Sequence, residues 1–243
     1  MARKWRNGWL VLALVALVSA CSNAPQMSTI NDPHEAMNRR THDLNKSLDR
    51  NILKPLSSGY GKVTAGPVST GISNFASNLS LPGKVVNDLL QLDVADAFQN
   101  TARFVMNSTI GLAGLLDVAT QNGLDEQYTD FGETLHVWGF HEGSYLELPV
   151  LGPSTERDAA GVIVDFVMDP LNFVVPSPER YWGTAAKLLN KVGDRGRYSD
   201  LVDSVLYDSE DSYAQSRLLY LQSRRHDLYG QLNDDDLEDP YAE

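Results

Sequence analysis

The sequence predicts an all-α body, and three observations carry that prediction. Helix-start signals recur along the chain, with an acid or hydroxyl residue followed by proline or by further acids. Apolar residues return at helical spacing in several segments, and strand signals are confined to one glycine-punctuated stretch. Residues 31–230 offer enough chain for one domain with a sizeable core.

Before that body lies an export signal. Met1 to Arg6 is basic, Trp9 to Val18 is an almost unbroken apolar run, and Ser19-Ala20-Cys21 closes it. The run is far shorter than the ~20 residues needed to span a bilayer, so cleavage after Ala20 is the better reading. Leu17-Val18-Ser19-Ala20-Cys21 fits a lipobox, in which the cysteine is acylated and becomes the first mature residue. Cys21 is the only cysteine of the chain, which excludes a disulfide framework and leaves packing to hold the exported body. Ser22, in place of an aspartate, favours release to the outer membrane. Residues 21–30 read as a lipidated tether.

The first element is announced by Asp32-Pro33-His34-Glu35, with Asp32 placed as the N-cap, Pro33 at the first helical position and Glu35 reaching back. Further on, Val94, Ala97, Phe98, Thr101 and Val105 form an apolar stripe opposite Asp96, Asn100, Arg103 and Asn107. Core packing and contact with lipid are both open to that stripe. Gly111, Gly114 and Gly123 around Leu115-Leu116 suit turns, or close-packed and mobile gate segments. From Phe131 to Pro153, Gly132, Gly139, Gly143 and Gly152 punctuate aromatic residues, and Leu146, Leu148 and Val150 alternate with Glu147 and Pro149. This stretch reads as an irregular or hairpin-like loop, and loops of that length are usually functional.

Ser154 with Glu156 and Asp158 starts the next helix. Over Asp158 to Met168 the residues Val162, Ile163, Val164, Phe166 and Val167 surround most of the cylinder, while Asp158, Asp165 and Asp169 share one narrow side. Two readings fit: a polar lane on a helix otherwise facing lipid or protein, or capping plus ion pairs with Arg157 and other arginines. Asp169-Pro170 and Ser177-Pro178-Glu179 mark further starts. After Pro178, Tyr181, Trp182, Ala185, Leu188, Leu189 and Val192 oppose Lys187, Asn190 and Lys191. Asp208 with Glu210 and Asp211 opens the last helix. Residues 231–243 carry Asp234, Asp235, Asp236, Glu238 and Asp239 without Lys or Arg, which reads as a solvated, disordered tail.

The formal charge of −12 becomes −15 once Arg3, Lys4 and Arg6 leave with the signal, which argues against nucleic acid as a partner. His34, His42, His136, His141 and His226 lack a metal-ligand spacing, so neither a metal nor a cofactor is expected. Asp130-Phe131-Gly132 is similar to the metal-binding tripeptide of protein kinases, but no nucleotide loop or catalytic segment accompanies it. No Gly-x-Ser-x-Gly elbow occurs, whereas a dispersed Ser-His-Asp triad stays open.

The block Asn31-Asp32-Pro33-His34-Glu35-Ala36-Met37-Asn38-Arg39 resembles the opening of the VacJ/MlaA lipoprotein family. Ser73 to Leu79, Asn87 to Gln91, Arg103 to Gly111, Asp130 to Leu135 and Leu148 to Ser154 with Arg157-Asp158 resemble later family segments in the same order. The match weakens toward Asp208 to Tyr213. Gly143-Ser144-Tyr145 stands where the family usually has Gly-Pro-Tyr, and Ser69 or Thr70 stands where it often has arginine. The resemblance implies a ring of amphipathic helices lying in the outer membrane around a central channel, with outer-membrane porin trimers as partners. It implies removal of misplaced phospholipid from the outer leaflet and delivery to a periplasmic phospholipid carrier, without bond chemistry. Asp158, Asp165 and Asp169 are the candidates for the wet lane of such a channel. An envelope phospholipase or other hydrolase, and a lipoprotein that only scaffolds porins, are the alternatives.

Overall fold

The computed structural model describes residues 30–63, 66–176 and 180–229. The signal, Cys21, the start of the helix after Pro178 and the acidic tail lie outside these residues in whole or in part. Helix α1 spans Glu35–Leu48 and runs through a π-helical turn, Asp49–Leu53, into α2, Lys54–Val63. Helices α3, Pro67–Asn78, α4, Leu81–Gln91, and α5, Val94–Thr109, follow. Short helices α6, Val118–Gln121, and α7, Phe131–Val137, lead to strands β1, Tyr145–Leu148, and β2, Gly152–Thr155. Then come α8, Glu156–Met168, α9, Leu171–Val174, α10, Arg180–Arg197, and α11, Ser199–Asp203. A second π-helical turn, Ser204–Asp208, precedes α12, Ser212–Tyr229. The expected all-α class holds, with one small hairpin.

Capping acids set several of these starts. Asp93, Asp117 and Asp130 each accept a hydrogen bond from the backbone N–H three residues on, which satisfies a donor that the first helical turn leaves unpaired. Thr155, one residue beyond the expected Ser154, does the same for Asp158. Asp32 departs from expectation: α1 begins at Glu35 behind His34, without a side-chain cap. The Asp32 carboxylate instead receives Asn38 at 2.9 Å, together with the Tyr213 hydroxyl and the Arg217 guanidinium, so it ties α1 to α12. Tertiary pairing with a cation outcompeted the local cap.

The segment 131–153 forms the hairpin-like end expected of it but departs from a loop at its start. Its first seven residues are helical because Asp130 caps them, and its end is an antiparallel hairpin pairing Tyr145 with Thr155 and Leu148 with Gly152. Tyr145 and Glu147, not the alternating leucines, are the buried face of β1.

Packing closes the elements into a circuit. Through its π turn α1 continues to α2, which packs on α10; α10 packs on α3, α3 on α5, α5 on α4, α4 on α7, α7 on α8, and α8 on β1, which returns to α1. Polarity around this circuit is inverted relative to a water-soluble domain. Among the described residues nineteen polar or charged side chains are buried and only nine apolar ones, four of those being alanines. A small cluster of Tyr145, Tyr213 and Leu221, with Tyr220 packed against it, is the apolar core. Helix α5 shows the inversion directly: Phe98 is 74% exposed and Val94 69%, while Asn100, Arg103 and Asn107 point inward. Of the two readings open to the stripe, the outward one holds, apart from Ala97. No described helix is long and apolar enough to cross a membrane.

Candidate functional site

Polar groups facing inward must find partners, since an unpaired buried donor or acceptor costs about 1–3 kcal/mol. Helix α4 presents Lys84, Asn87 and Asp88 on one buried face. Asn100 of α5 donates to Asp88 at 2.8 Å, Asn87 donates to Asp165 of α8 at 2.8 Å, and Gln91 donates to Thr134 of α7 at 2.9 Å. Burial raises the Asp88 carboxyl to about 6, with Asp96 and Asp93 adding to the effect and the Asn100 bond opposing it.

Two cavities lie along this polar interior. The larger, of about 700 Å³, is walled by α3, α4, α8 and α10 and lined by Lys84, Glu126, Asp165, Asp169, Lys187, Asn190, Lys191 and Asp194. Its neighbour, of about 430 Å³, is lined by Asp130, Asp158, Asp165, Arg224 and Asp227. Tyr128 and Asp165 belong to both linings, so the two cavities lie side by side along one charged lane. Helix α10 supplies the lane with Lys187, Asn190, Lys191 and Asp194 while Leu188 and Leu189 are exposed on its other side. On α8 the apolar residues Val162, Ile163, Phe166 and Val167 are exposed, and Phe166 reaches 75%.

The three aspartates singled out on α8 are placed differently from one another. Asp165 sits at the junction of the cavities and accepts the Phe131 N–H at 3.0 Å; burial pushes its carboxyl up against the pull of that bond and of Asn87. Asp169 accepts the Leu171 N–H at 3.0 Å and meets Lys187 at 3.3 Å across the larger cavity. Asp158 is engaged by Arg157 at 3.1 Å, Arg224 at 3.2 Å and Tyr220 at 2.7 Å. Burial alone would raise the Asp158 carboxyl, but Arg224 and Arg157 overcome it and hold the group below the usual carboxylate range. Asp158 thus fulfils the ion-pair reading while also lining the smaller cavity.

Glycines let these walls meet. A Cβ on Gly114, whose φ is +93°, would stand 2.6 Å from the Asn78 side chain, and one on Gly111 would stand 2.3 Å from the Leu116 carbonyl. Both readings of that segment, turn chemistry and close packing, apply. Leu112 and Ala113, which precede Gly114, also have positive φ, so the loop is strained, and Leu112, Leu115 and Leu116 are exposed on it.

One constellation bears on catalysis. Ser212 Oγ lies 3.1 Å from His42 Nε2, and His42 Nδ1 lies 3.5 Å from Glu147 Oε1. The Lys46 ammonium donates to the same Ser212 oxygen at 3.1 Å, and none of the described cavities reaches His42 or Ser212. The Ala214 N–H at the start of α12 is held by Asp211 at 3.0 Å and so is not free for an oxyanion. The arrangement knits α1, β1 and α12 together.

The MlaA lipoprotein family model matches residues 30–227. The chain belongs to the MlaA lipoprotein family. Its relatives include the intermembrane phospholipid transport system lipoprotein MlaA of Escherichia coli, 31% identical over 93% of this chain and 88% of that one. The protein of the same name from Haemophilus influenzae is 30% identical over 88% of this chain and 86% of that one. An uncharacterized protein of Rickettsia prowazekii is 34% identical over 76% and 73%. A solved structure from work on the structural basis for maintenance of bacterial outer membrane lipid asymmetry aligns with a TM-score of 0.68 and 33% identity, covering 81% of this chain and 97% of that one. The resemblance seen in the sequence from Asn31 to Phe173, weakening toward Tyr213, thus extends over residues 30–227.

Proposed function

We infer that this MlaA family member takes misplaced phospholipid from the outer leaflet of the outer membrane and passes it inward to a periplasmic phospholipid carrier. The observation that carries the reading is the inverted polarity: exposed apolar side chains surround adjoining cavities lined by lysines and carboxylates. A headgroup crossing hydrocarbon would lose its hydration at a cost of several kcal/mol, and a charged, wet lane avoids that cost. The outward Phe98, Phe166 and Leu188 give the body a surface suited to lipid, and Cys21 supplies the acyl anchor. Porin trimers offer the partner surface that would hold such a body within the outer membrane. Binding and release suffice, with no covalent step. The hydrolase reading rests on Ser212, His42 and Glu147, and the engagement of Ser212 by Lys46 weighs against it.

Cells lacking the gene are expected to accumulate phospholipid on the outer surface, measured by labelling with a surface-restricted phospholipase. The wild-type gene restores asymmetry. Gly83→Trp does not, because Gly83 lines the larger cavity with open space where its Cβ would stand, so an indole there projects into the lane. Full rescue by Gly83→Trp, with porin association intact, supports the scaffold reading and overturns transport through the lane.

A further inference from the structure

A third cavity, of about 500 Å³, opens between α2, the start of α3 and the C-terminal end of α10, and none of the candidates singled out in the sequence falls in it. It follows the lane along the same pair of helices. Asp194 of α10 faces the larger cavity and Gly193 and Arg195 face this one; on α3, Ser77 faces the former and Ser69 the latter.

Its lining is rich in donors. Lys54, Arg195 and Arg197 contribute three cations, against one lining carboxylate, Asp203. Arg195 is 8% exposed, and its Nε and Nη2 are spent on Asp49 at 2.6 and 2.9 Å, with Nη2 also on Asp203 at 2.6 Å. Its Nη1 is buried and has no hydrogen-bond partner among the described residues. A guanidinium nitrogen left unpaired in a buried site is costly, and an oxyanion is the group that would satisfy it. Lys54 meets Asp203 at 2.7 Å, which occupies one of the three ammonium donors. Arg197 is held by an exposed contact with Asp194 at 2.9 Å, a weak tie that leaves it able to turn toward a ligand. Asp49 and Asp194 behind the lining, with Asp203 in it, balance the cations, so the site has no surplus positive charge to hold a second negative charge on the ligand.

We propose that this cavity is a subsite for a singly charged phosphodiester, built by Arg195, Lys54 and Arg197. Resting on the transport reading, the site would hold the phosphate of a phospholipid headgroup at one end of the lane. Asp203 stands beside it as an acceptor for a headgroup amine or hydroxyl.

The test uses the full mature chain in detergent micelles, with dihexanoyl phosphatidylethanolamine, dihexanoyl phosphatidic acid and inorganic phosphate as probes, followed by phosphorus NMR line broadening. The diester is expected to bind and inorganic phosphate to compete poorly. Arg197→Gln should weaken diester binding roughly tenfold, in line with about 1.5 kcal/mol for a charged hydrogen bond, and Arg197→Lys should recover part of it. Gly61→Phe keeps every cation but fills the cavity, since nothing lies within 4 Å of a Cβ at Gly61, and should abolish the broadening. Circular dichroism and the thermal midpoint verify that all three variants fold. Equal diester binding by wild type, Arg197→Gln and Gly61→Phe overturns the subsite while leaving transport standing. Binding of inorganic phosphate or phosphatidic acid as tightly as the diester also overturns it, and points to a general phosphate site. A wild-type chain that binds no phospholipid at all overturns the transport reading and the subsite with it.

Discussion

Gly161 of α8 lies against Gly132 of α7 so closely that a Cβ on Gly161 would stand 2.4 Å from the Gly132 nitrogen. That contact sets the spacing of the two helices that bring Asp165 to the Phe131 N–H and Asp158 to Arg224. Gly161→Ala is expected to cost about 1–3 kcal/mol through overpacking, read as a lowered thermal midpoint in detergent. Gly83→Ala, with open space around its Cβ, is the control and should be neutral or slightly stabilising.

Helix identity and family membership were legible in the sequence because they depend on local residue patterns. The amphipathic stripe of Val94, Phe98 and Val105 was equally plain, but which side faces inward depends on the surrounding solvent, and periodicity is blind to that. The roles of Asp32 and Tyr145 were hidden because they are fixed by Arg217 and Tyr213, which only tertiary packing brings to them. Asp158, Asp165 and Asp169 could be found as one helical side, yet their separate partners on α7, α10 and α12 could not. The cavity around Arg195 was missed: its residues come from segments far apart in the chain, and no motif joins them.

Ser212 separates transport from hydrolysis. Ser212→Ala removes the hydroxyl that His42 and Lys46 both engage, so a loss of about 1 kcal/mol of stability is expected, with lipid transport in cells unchanged. A fluorophosphonate probe should leave Ser212 unlabelled in the purified protein. Labelling of Ser212 in the folded chain, lost in Ser212→Ala together with lipid cleavage, would establish an enzyme.

Asp88 gives a pH signature. Its folded value of about 6 lies above the ordinary carboxyl value, so the folded protein takes up a proton as pH falls. The cost of keeping Asp88 charged is fully present above about 6 and disappears as pH falls toward the usual carboxylate range. Asp88→Asn, which keeps an oxygen to accept from Asn100, should therefore raise the thermal midpoint at pH 8 and leave it nearly unchanged at pH 4. An equal shift at both values would assign the effect to packing.

Which side of the helices meets lipid decides the rest. Spin labels placed through Phe98→Cys, Phe166→Cys and Leu188→Cys, and through Ser77→Cys and Asn190→Cys in the lane, can be compared in liposomes for collision with oxygen and with a water-soluble nickel chelate. Oxygen should dominate at the first three positions and the chelate at the last two. Chelate access at Phe98 and Phe166 as high as at Asn190 would contradict an inverted body seated in the bilayer.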